Sequence, residues 1–114
     1  MKDQRSNFWA EQITTELTNA EKALAEKNDG KARACARRAA GIIIKEYLRQ
    51  DSKSPSQSAL DRLKNVSTNE QFPEHIRKAA LRLITNVKDR LSPNFTFHPI
   101  HDAEILITYF KDLL

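Results

Sequence analysis

His98, His101 and Asp102, with Arg90 and Asn94 upstream, form the densest run of reactive side chains in this 114-residue chain. A histidine titrates near neutrality and can take or give a proton. An arginine can steady negative charge as it develops on a phosphate. Together, Arg90 and His98 fit RNA cleavage through attack by the 2′-hydroxyl. A plainer reading stands beside it: His98 or Asp102 caps the last helix, and His101 is a solvated residue of its first turn. The histidine pair is a poor metal site, because no cysteine or second carboxylate lies close in sequence to complete a shell and His75 is distant. No metal or other cofactor is expected.

A second candidate is cationic. Arg33, Arg37, Arg38 and Lys45 fall within one helical stretch, Arg33 and Arg37 one turn apart and Arg38 and Lys45 two turns apart on an adjoining strip. Residues 31–49 hold six Lys/Arg against Glu46 alone, and residues 73–91 hold five against Glu74 and Asp89, while the two ends of the chain are neutral to acidic. Such strips could hold the phosphates of a nucleotide or RNA. They could equally salt-bridge Glu16, Glu21 or Glu26 of the first helix.

The remaining reactive groups give less. Cys35 sits on a face of small residues with no base placed near it, so it reads as an inert buried thiol. Gly30 and Gly41 stand alone, so no glycine-rich phosphate loop exists. The aromatic residues fall on apolar stripes rather than on a stacking platform for bases.

The elements that position these groups are helices. Trp9, Ile13, Leu17, Ala20 and Leu24 recur at spacings of three and four, which predicts a helix over 7–27 capped by Ser6, with Phe8 widening its stripe. Asn28-Asp29-Gly30 ends it, with Gly30 in the left-handed conformation and Asp29 capping the next helix. That second helix runs over 31–50 with Ala32, Cys35, Ala36, Ala39, Ala40, Ile43, Tyr47 and Leu48 inward. Its small side chains predict a central place in the fold, and Gly41 marks a tight crossing. After a polar linker over 51–58, Ser54 and Pro55 open a short helix over 55–65 with Leu60, Leu63 and Val66 inward. Ile76, Ala80, Leu83, Ile84, Val87 and Leu91 predict a long helix over 73–91. Phe95 and Phe97 plug one end of the bundle. Pro99 starts the last helix, with Ala103, Leu106, Ile107, Phe110 and Leu113 inward.

The sum is an all-α fold: one domain over 1–114, an up-and-down bundle of four main helices plus one short helix. Two glycines and four prolines leave long stretches free of breakers, and 39% hydrophobic against 30% charged residues marks a globular chain. The longest aliphatic run, Ile42-Ile43-Ile44, is far too short to span a membrane. A single cysteine carries no trace of an oxidising compartment, and no apolar leader core precedes the first helix. A cytoplasmic setting is expected.

The pairing of NAEKALAEKNDGKARACARRAAGIIIKEYL with a closing DAEILITYFKDLL resembles the HEPN-type helical domains, the higher eukaryote and prokaryote nucleotide-binding superfamily. That resemblance implies a long first hairpin, a helix that closes the bundle and a homodimer. It also implies one of several activities: metal-independent RNA cleavage, nucleotide binding or partner-protein binding. Ribonucleases of the family carry an arginine a few residues before a histidine near the start of the last helix. Arg90 and His98 stand closest to that pattern, but seven residues separate them, a longer spacer than the family's. The expectation is therefore a non-enzymatic HEPN-like module that binds a partner protein or a phosphate-bearing ligand, with a toxin-like ribonuclease or a purely structural adaptor as alternatives.

Overall fold

A computed structural model describes residues 8–50 and 58–114. The described residues fold as a helical bundle of five α-helices: α1 (Phe8–Ala25), α2 (Asp29–Gln50), α3 (Ala59–Thr68), α4 (Glu74–Ile84) and α5 (Pro99–Leu113), with a 3₁₀ turn at Val87–Asp89. Among the described residues there is no strand. The caps expected at Ser6 and Ser54-Pro55 lie outside the described residues.

α2 is the central element. Ala32, Cys35, Ala36, Ala39 and Ala40 are all buried, and their small side chains let neighbouring backbones approach. α1 packs chiefly on α2, α5 packs on another face of it, and α3 and α4 pair with each other while also touching α2. Ile13 and Ala20 of α1, Ile43 and Ile44 of α2, Leu63 and Val66 of α3, Ile76, Ala80 and Leu83 of α4, and Ala103, Leu106 and Phe110 of α5 are buried. Most of them lie on the predicted stripes. At one end Phe110 meets Tyr47, Phe72 and Tyr109 with ring centroids 5.1, 5.3 and 5.1 Å away. These tilted and edge-on arrangements suit the ring quadrupoles.

Gly41 does mark a tight crossing. A Cβ at this position would stand 2.6 Å from Ala59 Cβ and 3.0 Å from Ala59 Cα. Gly41→Ala gains about 1 kcal/mol of helix propensity but forces α2 and α3 apart at about 1–3 kcal/mol. A net loss of about 1 kcal/mol is expected in urea denaturation. Ala59→Gly, which removes the nearer clash, should recover part of it. An unchanged midpoint for Gly41→Ala would show slack at the crossing.

Several local expectations need correction. α1 ends at Ala25, four residues before Asp29, and the left-handed residue is Lys27, with φ of 61°, not Gly30. Asn28 N–H donates to the Ala23 carbonyl at 2.8 Å and Lys27 N–H to that of Leu24 at 2.9 Å, the paired bonds of a Schellman stop. Asn28 Oδ1, not Asp29, caps α2 by accepting from Lys31 N–H at 3.1 Å. Gly30 lies inside the first turn of α2. The short helix starts at Ala59, capped by Ser58 Oγ, which accepts from Asp61 N–H at 3.1 Å. Leu60 is exposed, so only Leu63 and Val66 of the expected trio face inward.

The helix predicted over 73–91 stops at Ile84. Thr85 Oγ1 turns back to the Leu81 carbonyl at 2.9 Å, a local bond that competes with helix continuation. Arg37 of α2 takes the carbonyls left over at this end: Nε donates to that of Leu83 at 2.5 Å and Nη2 to that of Thr85 at 3.3 Å. Leu91 is fully exposed and lies on no core stripe. The end of the bundle is not plugged by two phenylalanines either, since Phe97 is 72% exposed and Phe95 only half-buried.

Candidate functional site

The four cations predicted to bind anions lie on α2, but they do not share one open surface. Arg33 is buried, 3% exposed. Its Nη2 donates to the Thr96 carbonyl and its guanidinium stacks 4.3 Å from the centroid of the Phe95 ring. Nε and Nη1 make no hydrogen bond among the described residues, so the ring face of Phe95 is the main compensation for their burial. Burial pushes the Arg33 pKa down. Asp29 opposes that shift, Arg37 and Arg90 reinforce it, and Asp102 opposes it. Arg37, bonded to Leu83 and Thr85, is likewise shifted down by desolvation. Both arginines therefore hold the α4–α5 connection against α2.

Arg38 pairs with Glu16 of α1 at 2.9 Å and reaches Cys35 Sγ at 3.2 Å. The Glu16 hydrogen bond is the largest cause of its raised pKa. Lys45 is exposed and has no ion-pair partner among the described residues. Of the four, Arg33 and Arg37 are engaged by backbone carbonyls and Arg38 by a carboxylate. Lys45 alone is uncommitted.

Arg90 and His98 share the α4–α5 connection and are both exposed. Arg90 Nη2 lies 3.8 Å from Asp29 Oδ2, a long ion pair of little strength at the surface. His98 occupies the N-cap position of α5 without a side-chain cap bond, and its backbone N–H donates to Thr96 Oγ1 at 2.9 Å. Among the described residues no hydrogen bond or ion pair joins the two. His101 is exposed in the first turn of α5. Asp102 is not a cap. Its buried Oδ1 accepts from Arg82 Nη2 at 2.8 Å and Nε at 3.0 Å. Among the described residues no three of His, Cys, Asp and Glu gather closely enough to hold a metal ion, and no described helix is long and apolar enough to cross a membrane.

A site not foreseen from the residues lies on the other side of α2. α1 and α3 each pack on α2 without substantial contact with one another. The space between them is an open groove of about 860 Å³. Trp9 and Ile42 give it an apolar surface, and Lys45 and Arg62 bring charge to it. The lining pairs Arg38–Glu16 and Arg49–Glu46 are closed at 2.9 and 3.0 Å. Lys45, Arg62 and Glu11 have no ion-pair partner among the described residues. Arg62 is half-buried, and that desolvation lowers its pKa. Trp9 reads in sequence as a core residue, and nothing local marks Arg62. The nearest signal is Phe8, which widens the stripe of α1 beyond what α2 covers and stays 61% exposed.

The chain matches no family model, and neither a curated protein nor a solved structure matches it.

Proposed function

We propose that the chain is a non-enzymatic, HEPN-like binding module of the cytoplasm whose α1–α3 groove takes a segment of a partner protein, the module itself forming a homodimer. One observation carries the reading: an open groove with half-buried Trp9 and Ile42 beside two cations, Lys45 and Arg62, that have no ion-pair partner among the described residues. Mixed apolar and charged clefts of this kind suit a protein segment. A nucleotide or RNA is less well served. Glu11, Glu16 and Glu46 stand among the groove's cations, and Arg33 and Arg37 already bind backbone carbonyls. The exposed Leu91 and Phe97 offer apolar surface for a second copy.

The test is photo-crosslinking in cells, with benzoylphenylalanine in place of Ile42 in the whole chain. Discrete protein adducts are expected, and they should vanish on Trp9→Glu. The same group in place of Lys78, on α4 outside the groove, should give none. Equal adducts at both positions, or none at Ile42, would overturn the reading. The purified chain should also leave mixed RNA intact over hours and show no salt-sensitive RNA binding. Cutting that stops on His98→Ala would restore the ribonuclease. Sedimentation as a monomer at high micromolar concentration would remove the homodimer.

A further inference from the structure

Resting on that reading, we infer that the partner segment is an amphipathic helix of about three turns, with carboxylates set to meet Lys45 and Arg62 and an apolar stripe set to meet Trp9 and Ile42. The shape of the groove argues for a helix. α1 and α3 flank α2 as two walls over one floor, which is the trough into which a further helix packs ridges into grooves. An extended segment has no such seat, because the described residues offer no strand edge to supply backbone partners.

The floor sets the length. The lining positions on α2 run from Arg38 to Arg49, which at 1.5 Å per residue spans roughly 16 Å, or about three turns. The charges set the sign. Glu16 and Glu46 are spent on Arg38 and Arg49, so among the described residues the groove's unpaired charges are two cations, Lys45 and Arg62, against Glu11. Arg62 is the stronger anchor of the two. Its guanidinium is partly withdrawn from water and has no ion-pair partner among the described residues, and a planar fork of donors suits bidentate binding of an incoming carboxylate.

Selection from a phage library of random peptides about 16 residues long, a little over four turns, tests this on the whole chain. Enriched peptides should carry Leu, Phe or Trp at spacings of three and four, interleaved with Asp and Glu. A synthetic winner should gain helical dichroism on binding. Arg62→Gln should weaken it by about tenfold or more, and Lys45→Gln by several-fold, both without loss of the cooperative melt. Trp9→Ala should abolish binding. Peptides lost on Trp9→Ala that are basic, or that bind without becoming helical, would sink this inference and leave the groove as a protein-binding site. An acidic winner indifferent to both Arg62→Gln and Lys45→Gln would sink it too. If no peptide is enriched, the groove reading itself falls. A winner that ignores Trp9→Ala has the same consequence.

Discussion

Phe110→Ala is expected to remove about 3–5 kcal/mol of folding stability and to lower Tm by about 12–20 °C, taking about 4 °C per kcal/mol at this chain length. Phe110 is fully buried on α5. Its ring lies 5.1 Å from Tyr47 of α2, 5.3 Å from Phe72 just before α4, and 5.1 Å from Tyr109. One side chain thus ties three parts of the bundle. Truncation loses the transfer free energy of the ring and leaves a cavity that three partly exposed aromatics can only partly close. The edge-on contacts contribute about 0.5–1.5 kcal/mol per pair beyond burial. Phe110→Leu keeps most of the volume and should cost about half as much or less. Calorimetry on the two variants reads this directly. A change below about 1 kcal/mol for alanine would mean that the aromatic cluster does not bear on the packing of α5.

The second large effect is an asymmetry in the Arg82–Asp102 pair. The Asp102 side chain is 4% exposed and that of Arg82 is 32% exposed. Removing the arginine strands a buried carboxylate, whereas removing the carboxylate leaves an arginine that can turn to water. Arg82→Met is therefore expected to cost about 3 kcal/mol, and Asp102→Leu only about 1–2 kcal/mol. Asp102→Leu also gives up a negative charge in the first turn of α5, which accounts for about 0.3–1 kcal/mol of that loss. The double variant should return to within about 1 kcal/mol of the wild type, because well-packed apolar residues replace a buried ion pair at little cost. Urea denaturation of all four proteins closes the cycle. Strict additivity of the two single losses would show that the groups do not interact.

Both predictions concern residues whose roles were unequally legible. Phe110 lies on a stripe with Ala103 and Leu106, and a period of three and four is a local property, so its burial can be read along the chain. Asp102 looks in sequence like a helix cap or part of a histidine cluster. Its partner stands twenty residues upstream on the polar side of another helix, and no local pattern names it. The helix over 73–91 fails for a similar reason. Apolar spacing continues through Val87 and Leu91, but Arg37, more than forty residues away, takes the carbonyls that another turn would have used. The signal Asn28-Asp29-Gly30 marks the right junction with the wrong residues, because the Schellman bonds close around Lys27, one turn earlier.

The site divides along the same line. By itself the sequence determined the all-α class, the existence of five helical segments, the small-residue face that makes α2 central, and the excess of cations on it. These depend on residue type and on spacing within a few turns. Only the tertiary structure decided which cations face solvent. Arg33 and Arg37 are spent on carbonyls of the last turn of α4 and the α4–α5 connection and Arg38 on Glu16, while Lys45 joins Arg62 beside a groove that exists only because α1 and α3 stand apart on α2. A charge carries no local record of the partner that will meet it, since the field and the desolvation it experiences are set by groups distant in the chain.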